Sequence, residues 1–495
     1  MMTKVMIGVD IGTTSTKVVL FDAAGQVLAS ANNGYPLIQT QPDMAEQDPE
    51  AIWAAVQAGV RTVAAAVPPA LIAGVSFSAA MHSLMLVDPT GRPMTRLLTW
   101  ADNRAQAAAT ALQARPDAAA LFDRLGVPLQ AMTPLAKLMR WRQTQPAQLR
   151  AARWACGIKD YVLAKLTDQW VQDASLANAT GLFDRLAQDW DTTALALAGV
   201  SATQLPRLVE TTATLPLTPA GAAALALPVG LPCIVGASDG VLSNLGVGAQ
   251  PGDLVVTVGT SGAVRQTTAA SAADPAGRLF TYTLTPGQWV VGGPINNGGD
   301  VLRWVRDTLM PGVPYDAVTA RAAQARAGSD GLLFLPYLNG ERAPLWTGDA
   351  RGSYLGLTAR HGQPEMIRAA MEGVVFALRD VAALVLALGT RPTRVLANGG
   401  FANSPLWCQM LADVFEQPVT LPAGLASTAW GAARLGWQAL GVTTHTPTTG
   451  VTYRPGPDAT RYGQLWPVWQ QASRALLPLS ASLATLQRDD TIIPV

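Results

Sequence analysis

The chain has 495 residues, more than the roughly 100 to 200 of an ordinary domain, so two or more hydrophobic cores are expected. Lysine and arginine number 35 against 34 acidic residues, a net charge of +1, and only 14% of residues are charged while 49% are hydrophobic. That balance excludes a disordered charged tail protein and a dedicated polyanion binder, so no nucleic-acid partner is expected.

An apolar run from Val5 to Asp10 opens the chain as a strand. A Gly-Thr-Thr-Ser-Thr turn and a second apolar run ending at Asp22 make it a β-meander. This end lacks the apolar run and small-residue cleavage site of a secretory leader, so a cytoplasmic protein is expected. Asp48 and Pro49 read as the N-cap and first position of a helix running to about Ala66. Ile72 to Ser78 is a buried strand, and alternation of this kind predicts α/β architecture with helices covering sheets. A mean hydropathy of +0.21 raises the question of a membrane, and the uncharged stretch Thr211 to Ser238 has the length of a span. Pro216, Pro219, Pro228 and Pro232 each remove a backbone donor that lipid would not replace. The stretch therefore reads as loop with a short strand at Cys233 to Ala237, and no membrane partner is expected.

Gly12-Thr13-Thr14 lies between strand-like runs, and about half the chain later so does Gly259-Thr260-Ser261. Two matched glycine-hydroxyl turns suggest corresponding corners of two similar domains. Glycines cluster at residues 240–252, which places an N-terminal domain at 1–245 and a C-terminal one at 246–495. The last part carries a Trp-bearing helix over about 462–486, with a break expected at Pro478.

Phosphate oxygens take backbone N–H groups, hydroxyl donors and positive charge, and a nearby aspartate holds Mg²⁺. Asp10, Gly12, Thr13, Thr14, Ser15 and Lys17 supply all of these, although an ordinary Thr-rich hairpin is built from the same residues. The run does not fit G-x-x-x-x-G-K-[ST], so a P-loop is excluded. Gly259, Thr260 and Ser261 are suited to the opposite wall of a triphosphate site. Asp239 follows a buried strand among small residues, where a carboxylate is able to accept a proton from an alcohol attacking a phosphoryl group, or simply to cap a helix. Three segments look like a polyol wall: Met81-His82-Ser83, Trp100 with Asp102 and Arg104, and Lys159 beside Gly157. Gly399, Gly400 and Asn403 make a turn that lets a nucleotide approach the backbone. Cys156, Cys233 and Cys408 are too few and too scattered for a disulfide framework or a thiolate zinc site, and His82, His361 and His445 are too scattered for a metal cluster.

Together these segments resemble the FGGY carbohydrate kinases, over about Val5 to Leu486. The C-terminal family signature fits Gly352 to Leu357, Glu365-Met366 and Ala369 to Glu372. The N-terminal signature fits Met132 to Leu138, but Trp141 comes one residue late. The resemblance implies an actin- and hexokinase-like (ribonuclease H-like) fold, two α/β domains with a catalytic cleft between them, and ATP with Mg²⁺ as cofactors. It implies that Asp10, Thr13, Thr14, Ser15 and Lys17 form the first phosphate motif and Gly259, Thr260 and Ser261 the second, with Gly299, Gly399, Gly400 and Asn403 bordering the nucleotide. Asp239 matches the catalytic base and, with Asp10, a Mg²⁺ site; Met81 and His82 match a sugar-contacting pair. Ser78 to Leu84, Trp100 to Arg104, the Asn296-Asn297-Gly298-Gly299 run and Glu341 to Trp346 look most like the gluconokinase branch, which adds Asn297 to the substrate residues, and the xylulokinase branch comes second.

The expected reaction is transfer of the ATP γ-phosphoryl group to a primary hydroxyl of an open-chain sugar or sugar acid, gluconate first and xylulose second. A gluconate pocket needs a cation that a neutral ketose does not, and Arg104 and Lys159 are the candidates. A non-catalytic sugar sensor on the same fold would carry an added interaction module and a lost base. An actin-like ATPase would turn over ATP without sugar. A homodimer is left open.

Overall fold

The computed structural model describes residues 4–41, 43–388, 391–422, 428–444 and 450–490; His445 and the chain ends lie outside them. β1 (Val5–Ile11), β2 (Ser15–Asp22) and β3 (Val27–Gly34) form the expected meander. There follow α1 (Pro49–Ala64), β4 (Ile72–Ala79), α2 (Pro134–Thr144), α3 (Ile158–Thr167), β5 (Val171–Asp173) and α4 (Ala174–Ala179). Next come β6 (Thr214–Pro216), α5 (Pro219–Leu225), β7 (Pro232–Ser238) and α6 (Asp239–Gly246). The later part contains β8 (Leu254–Val258), β9 (Gly262–Thr268), β10 (Gln288–Ile295), α7 (Gly299–Leu309), α8 (Gln363–Ala387) and β11 (Val395–Asn398). It ends with α9 (Pro405–Phe415), β12 (Val419–Pro422), α10 (Thr428–Ala439), β13 (Gly450–Tyr453) and α11 (Ala459–Asp490).

Two compact units result. Unit 1 comprises Met1–Gln250, Thr268–Val290 and Gly424–Pro447, and unit 2 comprises Pro251–Thr267, Val291–Ala423 and Thr448–Val495. Compactness therefore does not follow a single cut in the sequence.

The sheet of unit 1 has the strand order β6-β7-β4-β1-β2-β3. β1, β4 and β7 run parallel, so their C-terminal ends, carrying Asp10, Ala79 and Ser238, share one edge. α1 covers one face: Asp48 caps it by accepting from the Glu50 N–H at 2.9 Å, Pro49 fills its first position, and Ile52, Val56, Val60 and Val63 form its buried stripe. Burial of each such aliphatic side chain stabilises by about 1.5 to 3 kcal/mol. A separate apolar cluster joins Met6, Val19, Phe21 and Ile234 to Ala429, Trp430, Ala433 and Trp437 of α10. The Pro-rich stretch departs from expectation, because Thr218 accepts from the Gly221 N–H at 3.1 Å and Pro219 opens a helix, α5, where a loop was expected. Those prolines punctuate elements instead of preventing them.

In unit 2 neighbouring strands follow the order β10-β9-β8-β11-β12-β13. From the hairpin outward, β9-β8 is antiparallel, β8-β11 and β11-β12 are parallel and β12-β13 is antiparallel. Unit 1 shows the same succession in β2-β1, β1-β4, β4-β7 and β7-β6. One strand pattern is thus used twice, and the turns at Thr13 and Thr260 are its equivalent corners. α8 is buried along most of its length, and its Glu372 accepts from Arg368 Nε at 2.9 Å, Tyr462 Oη at 2.7 Å and the Gly328 N–H at 2.8 Å. Glu372, a residue of the C-terminal signature, therefore ties α11 and a loop to the core. α11 is continuous through Pro467 and Pro478, so the break expected at Pro478 is absent. Among the described residues no helix is long and apolar enough to cross a membrane.

Candidate active site

In unit 1 the candidate residues gather at the shared edge of the parallel strands, the end at which open α/β sheets generally bind ligands. Asp10 lies opposite Ser78 in the register of β1 and β4, and Ala237 of β7 lies opposite the same Ser78. Asp10 on β1 and Asp239, which follows the last residue of β7, are thereby brought to strand ends separated only by β4. Asp10 is held by the Thr428 hydroxyl, which donates to Oδ2, while Oδ1 is buried without a hydrogen bond of normal geometry. Burial raises its pKa, against the opposing influence of the Thr428 and Ser78 hydroxyls and the Lys17 charge. Asp239 opens α6 and accepts from the Gly240 N–H at 2.7 Å.

Two side chains hold the turn between β1 and β2. Gln47 Nε2 donates to Thr13 O at 2.6 Å and Trp100 Nε1 donates to Thr13 Oγ1 at 3.0 Å. Gly12, Thr13, Gln47, Met81, Ser83 and Trp100 line one narrow recess. His82 has a left-handed backbone, φ 64°, a strained setting for a non-glycine residue. Its Nδ1 lies 2.7 Å from Ala179 O, which is only an acceptor, so Nδ1 carries the proton. Lys137, inside the N-terminal signature, is buried and donates to the carbonyls of His82 and Thr99, both at 2.7 Å. The Ile158 N–H donates to Ser83 Oγ at 3.2 Å, so the three predicted wall segments are brought together.

In unit 2 the Gly259–Ser261 turn is braced from within, the Gly299 N–H donating to Gly259 O at 2.7 Å and the Gly298 N–H to Thr260 O at 3.1 Å. A cavity of about 390 Å³ opens beside it, with Gly259, Thr260, Gly299, Gly400 and Asn403 on its wall together with Leu302, Tyr315 and Trp407. That volume suits a nucleotide-sized ligand. Gly399 has φ 113°, and a Cβ there would lie 2.2 Å from Val258 O, so only glycine permits this crossing of chains.

Residues 5–246 match the N-terminal domain of the FGGY family of carbohydrate kinases and residues 254–440 match its C-terminal domain. The chain belongs to the FGGY family of carbohydrate kinases. The kinase is 42% identical to a gluconokinase of Bacillus subtilis over 98% of this chain and 99% of that protein. It is 30% identical to a xylulose kinase of Escherichia coli over 96% of this chain and 100% of that protein. Among solved structures, gluconate kinase from Lactobacillus acidophilus superimposes with a TM-score of 0.92 at 35% identity, over 96% of this chain and 99% of that one.

Three predicted ligand contacts of the kinase require correction. Lys159 is fully buried, and its Nζ pairs with Asp173 Oδ2 at 2.5 Å inside the core, so it is not presented to a sugar acid. Asp102 is buried behind Arg104, accepting from Arg104 Nε at 3.0 Å and the Ala45 N–H at 3.1 Å; it orients the guanidinium. Asn297 is buried in unit 2, donating to Gly340 O at 2.7 Å and accepting from the Asn339 N–H at 3.1 Å, so its side chain is spent on bracing a loop. Arg104 stays partly accessible, with Glu46 Oε1 2.5 Å from its Nη2. Buried Glu341 accepts from the Asn296 and Arg342 N–H groups, and burial lifts its carboxyl to about 7. Sequence reasoning missed Gln47, Thr428, Tyr315 and Trp407, none of which stands in a recognisable motif. Among the described residues no three His, Cys, Asp or Glu side chains gather as a metal cage.

Proposed function

We propose that this kinase phosphorylates gluconate at its primary hydroxyl, giving 6-phosphogluconate, with ATP as donor. The observation that carries the choice of acceptor is the 42% identity to a gluconokinase over nearly the whole of both chains, against 30% to a xylulose kinase. Unit 1 holds the acceptor: Met81 and His82 meet the polyol, Trp100 covers its C–H surface, and Arg104 is the partly accessible cation for the carboxylate. Unit 2 holds the nucleotide in the cavity lined by Thr260, Gly299, Gly400 and Asn403. The hydroxyls of Thr13, Thr14, Ser15, Thr260 and Ser261, with Lys17, are donors for phosphate oxygens.

Asp239 orients the acceptor hydroxyl and takes its proton as the oxygen bonds to the γ-phosphorus. The bond from that phosphorus to the bridging oxygen breaks, and ADP leaves. The donor set suits magnesium, since Asp10 has an orphaned, buried carboxylate oxygen and Asp239 lies at the same sheet edge. When bound, that ion offsets charge on the phosphate oxygens; Asp10 and Asp239 would hold it.

An ADP-release assay over gluconate, xylulose, ribulose and glycerol tests the reading. The highest kcat/KM is expected with gluconate. Dominant turnover of xylulose with none of gluconate would replace it by a xylulokinase.

A further inference from the structure

Lys159, removed from the ligand wall, belongs to a chain of contacts that ends at the residue before Asp239. Its Nζ meets Asp173 Oδ2 at 2.5 Å, and both side chains have no exposed surface. Asp173 Oδ1 caps α4, accepting from the Ser175 N–H at 2.9 Å and the Leu176 N–H at 3.2 Å, and also takes the Ser175 hydroxyl proton at 2.5 Å. With its only hydrogen given to Asp173, Ser175 Oγ is left as an acceptor, and the Ser238 N–H donates to it at 2.8 Å. Ser175 and Ser238 are themselves fully buried. Here β7 is leaving its ladder: its register with β4 shifts between Ile234 and Ala237, and Gly236 sits at φ 75°. A bulge re-aims a strand end, so something outside the ladder must fix where the next residue points.

We propose that Lys159, Asp173 and Ser175 form a buried positioning relay that fixes the start of α6 and so the direction of the Asp239 carboxylate. This deepens the phosphotransfer reading and rests on Asp239 as its base. A buried ion pair is a poor source of stability, because apolar side chains of equal volume pack there as well or better. It does fix direction: Lys159 pairs with Asp173, Asp173 turns the Ser175 hydroxyl, and that hydroxyl receives the backbone of Ser238. A misplacement of about 1 Å at a reacting group costs up to about 10²-fold in rate.

The test is Ser175→Ala, alone and combined with Asp239→Asn, assayed with whichever acceptor the wild type turns over fastest. In the single variant kcat is expected to fall about tenfold or more, with KM for ATP and acceptor within about twofold. In the Asp239→Asn background the same change should have no further effect, because the relay acts only through that carboxylate. Asp173→Asn, which keeps a capping oxygen but removes the carboxylate charge opposite Lys159, is expected to behave likewise and serves if Ser175→Ala does not fold. A kcat within twofold of wild type, or an equal loss in both backgrounds, overturns the relay. Preference for xylulose changes the acceptor used and leaves this comparison intact, whereas full turnover by Asp239→Asn alone removes the base itself.

Discussion

Lys137 gives a prediction whose sign is set by the structure. Its ammonium is buried with the His82 and Thr99 carbonyls as acceptors. Burial lowers its pKa from 10.5 to about 7, while Asp102 pulls it up and Arg104 pushes it down. Below about pH 7 the folded and unfolded chains both hold the proton. Between there and 10.5 the unfolded chain holds a proton that the folded one has released, so stability rises with pH. One such proton contributes at most about 1.4 kcal/mol per pH unit. Lys137→Met abolishes that slope and leaves the His82 and Thr99 carbonyls without their donor, at about 1 to 3 kcal/mol each. The deficit of the variant relative to wild type should therefore widen from pH 7 to pH 10, by up to about 4 kcal/mol. Urea unfolding at each pH measures it, the transition of unit 1 being recognised by its shift with added acceptor. Groups titrating elsewhere cancel in the difference. A deficit that stays constant across this range would show that the lysine does not release its proton in the folded state, and the reasoning would be wrong.

Three further outcomes are expected. Asp239→Asn should retain nucleotide binding by calorimetry while turnover falls by roughly 10² to 10⁴; near-normal turnover removes it from the role of base. Arg104→Leu should raise KM for gluconate by about tenfold or more and leave xylulose within a few fold, the signature of a lost charge-assisted contact. Equal effects on both sugars would make Arg104 a brace for Glu46 and Asp102 alone. Gly399→Ala, with its Cβ 2.2 Å from Val258 O, should weaken ATP binding at least about tenfold without changing acceptor affinity, and unchanged ATP affinity by calorimetry would contradict the placement of the nucleotide turn.

The two hydroxyl-rich turns were legible in the sequence because apolar runs flank them closely and glycine marks each corner. The α/β alternation followed from the same punctuation. α5 was not, since four prolines in one stretch read as interruptions until Thr218 and Pro219 are seen as the cap and first residue of a helix. Lys159 misled for a physical reason: it stands as an available cation in a polar segment, and the carboxylate that pairs with it, Asp173, arrives on a separate element, β5. Asp102 and Asn297 stand in ligand-like motifs yet act one layer back, on Arg104 and on the Asn339–Gly340 loop. Local sequence specifies chemical type; burial, which decides who meets the ligand, depends on segments remote in the chain. Tyr315 and Trp407 reach the unit 2 cavity in that way, from segments with no motif of their own.

The three-segment construction of unit 1 has a bearing on biosynthesis. When a ribosome has made the first 250 residues, the strands of that sheet exist but α10 does not. Met6, Val19, Phe21 and Ile234 then have no Trp430 or Trp437 against them. At about 5 to 20 residues per second the missing helix follows roughly 10 to 40 s later, far longer than secondary structure takes to form. For that interval the nascent chain presents an apolar sheet face to its surroundings, and Asp10 lacks the Thr428 hydroxyl that holds it. Termination between residue 250 and α10 would yield not a smaller working domain but a sheet with an adhesive bare face, a natural client for chaperones.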